Sequence, residues 1–241
     1  NGATNIGYFD GNAANIGFEE GVIMSTGGIN FVTDGLGAGS GMSGDADLEL
    51  ALSAIGMPGF SVNNVTVLEF DFVANSASIA FNYVFGSMEY TGYTCSQYND
   101  IFGFFLSGPG IEGPYTNDGV NIALVPDPDN PGDYTDTPVA INTVNNGDPN
   151  EDAGGQCESL DSNWENYNVF WIDNDYSGAG WQGVNEPPDP EFTVSGLTGF
   201  TTPLVAEYNG LECGETYHIK LAVADVADGI MNSAVFIEGA L

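Results

Sequence analysis

The chain has 241 residues, with 34 acidic side chains against one lysine and one histidine, a formal charge of −33. Such a surface repels phosphate, which excludes nucleic-acid binding by counterion release and docking on an anionic leaflet. No run reaches the roughly 18 apolar residues of a membrane-spanning helix. Hydrophobic residues make up 42% and aromatics 12%, enough for a core, so the chain is not an acidic disordered tail. The length suits one large β domain or two small ones, and multivalent cations are the partners that so many carboxylates favour.

The chain opens at Asn1 without a methionine or leader, as a processed or excerpted chain would. Glycine and Asx residues punctuate the first fifty positions around one apolar run, Gly21-Val-Ile-Met24. Alternation then sharpens. In 65–72, Leu68, Phe70 and Phe72 share one face and Glu69 and Asp71 the other. After the turn-like Asn75-Ser-Ala-Ser78, Ile79, Phe81, Tyr83 and Phe85 repeat the pattern, which predicts a half-buried antiparallel hairpin. Further strands are expected at 101–106, 121–125, 139–144, 169–172, 203–208, 217–223 and 234–238. No glycine-free window of about 12 residues carries a helical stripe. Short strands separated by turns predict an all-β fold, an antiparallel β-sandwich of jelly-roll type.

Residues 112–191 hold 17 of the 34 acids and nine of the 12 prolines. We read them as long acidic loops within one domain spanning 1–241, because the later strands need partners from the earlier half. Of the three cysteines, Cys95 and Cys157 sit in polar, loop-like sequence, while Cys213 precedes a strand. Pairing of Cys95 with Cys157 is expected in an oxidising compartment, although spacing alone does not fix connectivity.

Candidate chemistry lies in the acidic connections. Glu89 follows one strand, and Asn99 and Asp100 precede the next; Asp225, Asp228 and Asn232 lie between the last two strands. Ca²⁺ takes six to eight oxygens from such loop-borne groups. Asp127, Asp129 and Asp133 alternate as in a calcium loop, but the closing glutamate of an EF-hand is missing and proline intervenes. Asp and Asn also build turns for local reasons, the competing account of each cluster and of Asp173-Asn-Asp175. Trp164, Trp171 and Trp181, with Tyr167 and Tyr176, crowd the acidic stretch. There Trp164 and Trp181 are candidates for stacking on a glycan, against the plainer role of loop anchors.

No catalytic residue is assigned. With 34 acids, some pair will meet glycosidase spacing by chance. No G-x-S-x-G elbow occurs, and His218 reads as a structural group. Lys220 is expected to pair with Glu69 or Asp71. Asn64-Val-Thr66 is the one N-glycosylation sequon.

Long ordered blocks resemble the choice-of-anchor L domain of bacterial surface proteins. They include Ile16-Gly-Phe-Glu-Glu-Gly-Val-Ile-Met-Ser-Thr-Gly27, Val67-Leu-Glu-Phe-Asp-Phe-Val73, Cys95-Ser-Gln-Tyr-Asn-Asp-Ile-Phe-Gly-Phe104 and Thr216-Tyr-His-Ile-Lys-Leu-Ala-Val-Ala-Asp225. The resemblance implies an extracellular β-sandwich module of gliding or type IX-secreting bacteria, attached by varying C-terminal signals and without established catalysis. It supplies no binding residues. Relative to that family the acidic loops at 127–136 and 173–190 look long, and the family normally begins with strand-like sequence ahead of this segment. Either the chain is an excerpt, or a strand is missing and a sheet edge would accept one in trans from another subunit. The sequence therefore predicts a secreted, calcium-stabilised, non-enzymatic surface module, structural or adhesive, that forms a fibre or sits in a larger surface protein. The alternative is a lectin-like module that binds glycan through the acidic aromatic loops.

Overall fold

This computed structural model describes residues 4–12, 16–29, 41–148, 156–174 and 196–239. Its strands are β1 (Ile6–Asp10), β2 (Glu20–Ser25), β3 (Val62–Val73), β4 (Ser78–Ser87), β5 (Ile101–Ser107), β6 (Val120–Asn121), β7 (Leu124–Pro126), β8 (Tyr134–Pro138), β9 (Trp171–Asp173), β10 (Gly199–Thr201), β11 (Leu204–Asn209), β12 (Thr216–Val226) and β13 (Ser233–Glu238). Among the described residues two short α-helices accompany them, α1 (Ala46–Ala54) and α2 (Cys157–Leu160).

One sheet runs β1-β2-β13-β4-β10-β9, with β11 also on β4; the other runs β3-β12-β5-β6; β7 and β8 form a separate hairpin. All pairings between these strands are antiparallel. Number β2, β3, β4, β5, β6, β11, β12 and β13 from one to eight along the chain. The two sheets then read 1-8-3-6 and 2-7-4-5, the strand order of a jelly roll. The expected fold class is what forms.

Period-2 patterning builds the core. Tyr83 and Phe85 of β4 and Val235 and Ile237 of β13 meet Phe102, Phe104 and Leu106 of β5 and Tyr217, Ile219, Leu221 and Val223 of β12. Burying each such side chain is worth about 1.5–3 kcal/mol. The outer face of the smaller sheet is covered by α1, whose Leu48, Ala51 and Leu52 pack on Ile101, Phe105, Ala222 and Ala224. Asp45 caps α1 by accepting from the N–H groups of Asp47 and Leu48, each at 3.1 Å. A helix of nine residues is too short to register in a 12-residue window.

Three expectations need correction. Segments 65–72 and 79–85 are strands, but they are not a hairpin: β3 pairs with β12, and β4 pairs with β13, β10 and β11. Alternation reports a half-buried face and is silent on the partner. Segment 139–144 is a turn, not a strand. Its polar side chains capture the backbone: Thr143 Oγ1 donates to Pro138 O at 2.8 Å and accepts from Ala140 N, while Asn145 Nδ2 donates to Ile141 O. Such local bonds compete with a sheet ladder. Segment 121–125 is divided between β6 and β7, where Asn121 Oδ1 accepts from Phe104 N and Ala123 N. The disulfide joins Cys95 to Cys157, buried against Trp164, while Cys213 is exposed and free.

Candidate functional site

The inner faces of several strands end on polar residues at the same end of the sandwich. Continuing every second residue from Tyr83 and Phe85 leads to Ser87 and Glu89. Counting back from Phe104 and Phe102 leads to Asp100, on from Leu221 and Val223 to Asp225, and back from Val235 to Ser233. Met24 of β2 leads likewise to Thr26. All of these polar residues are buried, with Glu89 at 3%, Asp100 at 0% and Asp225 at 1% relative exposure. Glu89 and Ser233 belong to the β4–β13 side, Asp100 and Asp225 to the β5–β12 side, so the cluster closes one end of the space between the sheets.

Hydrogen bonds hold much of this cluster. Asp100 accepts from Val226 N at 3.0 Å and from the Ser233 hydroxyl. Ser233 N donates to Thr26 Oγ1 at 3.0 Å, and Glu89 N donates to Ser87 Oγ at 2.9 Å. Asn64 Nδ2 donates to Asp225 Oδ2 at 2.7 Å and to Gly229 O at 3.2 Å. That reach comes from a bulge: Asn64 and Val65 of β3 oppose the single residue Ala224 of β12, with Asn64 at φ +49°. Asparagine tolerates this left-handed backbone, and bulges re-aim side chains. Two carboxyl oxygens are left over. Glu89 Oε2 and Asp225 Oδ1 are buried without a hydrogen bond.

Three buried acids in contact cannot all ionise without compensation. Burial first, then the charges of Asp225 and Asp228, holds Glu89 well above the usual carboxylate range. Burial with the charges of Glu89 and Asp225 does the same to Asp100. Asp225 is pushed up to about 7, chiefly by burial, although neighbouring Thr26, Asn64 and Asp100 pull the other way. The ligand chemistry here is oxygen alone. Among the described residues no three His, Cys, Asp or Glu side chains are already arranged to hold a metal ion. An ion at this end would draw on hydroxyl, amide, backbone or water oxygens beside the carboxylates.

The two acidic connections that the sequence kept apart are thus brought together, but not every candidate residue joins. Asn99 is one step out of phase with Asp100. It is buried elsewhere, accepting from Asn142 N at 2.7 Å and donating to Met57 Sδ. Asp228 is half-buried, near enough for its charge to raise Glu89, and accepts from Ile230 N in a local turn. Asn232 is buried against Gly27, where a Cβ would collide with its side-chain amide. Asp127, Asp129 and Asp133 lie in the β7–β8 hairpin turn. Asp127 accepts from Asp129 N and Asn130 Nδ2, the pattern of an Asx turn. Trp164 is buried against the disulfide, so its ring is not offered to a glycan. Asp173 lies in β9, whereas Asp175, Tyr176 and Trp181 lie outside the described residues. Asn64 of the sequon is committed to Asp225.

Lys220 does not pair with its cross-strand neighbour Glu69 or with Asp71. It crosses the outer face of the sheet to Asp45 at 2.7 Å and Asp47 at 2.8 Å, with its ammonium 5.5 Å from the Phe105 ring centroid. His218 takes the acids instead, Asp71 at 2.8 Å through Nδ1 and Glu69 at 3.8 Å through Nε2. A long stem on a half-covered face reaches the helix N-terminus, where two carboxylates converge; the sequence pattern had not revealed that helix.

The sequence model of one family, described as the choice-of-anchor L domain, matches residues 1–240. No curated protein and no solved structure matches the chain.

Proposed function

Because this chain belongs to the choice-of-anchor L domain family, matched along residues 1–240, we propose that it is a non-enzymatic structural or adhesive module, one domain, of a bacterial cell-surface protein. In this reading calcium stabilises it, and it works within a larger surface protein or as the subunit of an extracellular filament. The observation that carries the reading is the use made of its polar groups. Buried carboxyls, hydroxyls and amides tie strand ends together. The sole histidine is turned to Asp71 and Glu69, two acids on one strand, and not to a hydroxyl nucleophile. A disulfide supports an oxidising location. Self-assembly has a template in β3, whose edge beyond the Met42–Val65 bridge is unpaired among the described residues.

Electron microscopy of the purified chain with and without millimolar Ca²⁺, alongside a glycan array, tests the proposal. Ordered filaments or specific adhesion without glycan binding supports it. Specific glycan hits would move the function to the lectin reading, whose surviving aromatic candidate is Trp181. Hydrolysis of a polysaccharide abolished by a single carboxylate substitution would overturn it in favour of an enzyme.

A further inference from the structure

We propose that the polar end of the inner core is a binding site for one calcium ion, held between the carboxylates of Glu89 and Asp225 with Asp100 as their positioning group. Two observations carry this beyond acidity alone. The leftover oxygens, Glu89 Oε2 and Asp225 Oδ1, belong to neighbouring acids of one cluster, are buried and accept no hydrogen bond. The other observation is that the chain has no cation left to give them. Its one lysine is spent on Asp45 and Asp47, and its one histidine on Asp71 and Glu69. Buried charge without a partner is strongly disfavoured. An external cation meets that need.

The donor set selects the ion. Glu89, Asp225, Thr26 and Asn64 offer hard oxygens, which suits Ca²⁺ rather than zinc or copper. Asp100 is a different case. Both of its oxygens are already engaged, one by Val226 N and one by Ser233, so it fixes β5 against β12 and β13. The ion thereby becomes a staple between sheets: Glu89 extends β4 in one, and Asp225 belongs to β12 in the other. This deepens the calcium-stabilised reading above and rests on it for the identity of the ion alone.

The test is metal content and thermal melting of the full chain and of two isosteric variants, Glu89→Gln and Asp225→Asn. The amide that Asp225→Asn introduces keeps an oxygen to accept from Asn64. Wild type should carry one equivalent of calcium by elemental analysis after gel filtration, and each variant less than a tenth of that. The melting order should reverse with the buffer. In EDTA the variants, relieved of repulsion, should melt above wild type; in millimolar Ca²⁺ wild type should melt several degrees above them. A purely structural role for the two acids lowers the variants equally in both buffers, which would overturn the proposal. So would a metal-free wild type, or calcium lost on Asp127→Asn and retained by both variants. If a variant fails to fold, terbium emission from wild type excited through its tyrosines decides. Saturation at one equivalent and displacement by calcium support the site, and absence of emission refutes it. None of these readings depends on filaments or adhesion, so the site and the surface role fail separately.

Discussion

Two sets of buried carboxylates lie on opposite faces of the smaller sheet, and they are compensated differently. On the outer face Asp45 and Asp47 share Lys220. Burial of Asp47 opposes its ionisation, but hydrogen bonds from Lys220 and Thr116 overcome this and hold its pKa below the ordinary value. Burial of Lys220 likewise opposes its charge, and its two aspartates overcome that. At the end of the inner face, Glu89, Asp100 and Asp225 have only hydroxyls, amides and one another, and all three pKa values rise. Aspartates largely closed off from solvent are thus driven toward charge in one place and toward the proton in the other. The inner acids are the more deeply desolvated, and the outer pair alone has a cationic side chain. In a chain with a single lysine, that choice is what the proposed calcium site at the inner end rests on.

Removing the lysine makes the outer pair resemble the inner cluster, and this should be the largest effect. Lys220→Met leaves two acids, with side chains 4% and 10% exposed, without a cationic partner. Losing one side of such a pair costs about 3 kcal/mol, or ~10 °C in melting temperature at this size. Thermal melts of the variant check it. The deficit should shrink when salt or Ca²⁺ is raised, because counterions then do what the ammonium did. A loss below about 1 kcal/mol would mean that Asp45 and Asp47 are effectively solvated, and the contrast between the two faces would collapse.

The inner cluster should reveal itself through pH in metal-free protein. An unfolded aspartate titrates near 3.8, whereas Asp225 in the fold titrates near 7. Between those values the native state keeps a proton that the unfolded chain has lost, so stability falls as pH rises through the window. Glu89 and Asp100 act with the same sign. Asp47 has the opposite sign, and its stabilising contribution is lost only as pH falls below about 4. In EDTA the protein should therefore be about 2 kcal/mol more stable at pH 5 than at pH 7.5. Denaturant melts at the two pH values measure this. Calcium should erase the difference, and a metal-free protein more stable at pH 7.5 would contradict the burial of these acids.

The fold was largely legible because its core strands alternate cleanly. Phe102, Phe104 and Leu106, and Tyr217 through Val223, mark their strands without help, and the two cysteines in polar loops do pair. What alternation could not supply was partnership. β3 and β4 look like a hairpin because a short turn joins them, yet the jelly roll sends them to different sheets. The turn at 139–144 looked like a strand because Val139, Ile141 and Val144 are buried, while its backbone was claimed by Thr143 and Asn145. The candidate site was half legible. Glu89, Asp100 and Asp225 stand out in the sequence as loop acids, but the stronger signal is their phase. Each falls on the inward-facing parity of a strand whose inward neighbours are apolar. Asn99, next to Asp100, fails that test and indeed turns elsewhere. Thr26, Ser87 and Ser233 pass it and were missed because hydroxyls carry no charge to attract notice.

Parity also separates the inner cluster from the acids that only resemble it. The β7–β8 turn has the spacing of a calcium loop, yet Asp127 spends its oxygens on Asp129 N and Asn130 Nδ2, at 2.9 and 2.8 Å, and lies open to water. Those hydrogen bonds, first that from Asn130, hold its pKa below the ordinary value, the reverse of Asp225. Asp127→Asn keeps one acceptor oxygen for the turn and removes one charge from a crowded acidic surface. The expected change in melting temperature is small and of either sign, and its rise with calcium should equal that of wild type. A calcium response reduced by this substitution would place an ion in the hairpin and make spacing, not burial parity, the better guide to where this chain holds its cations.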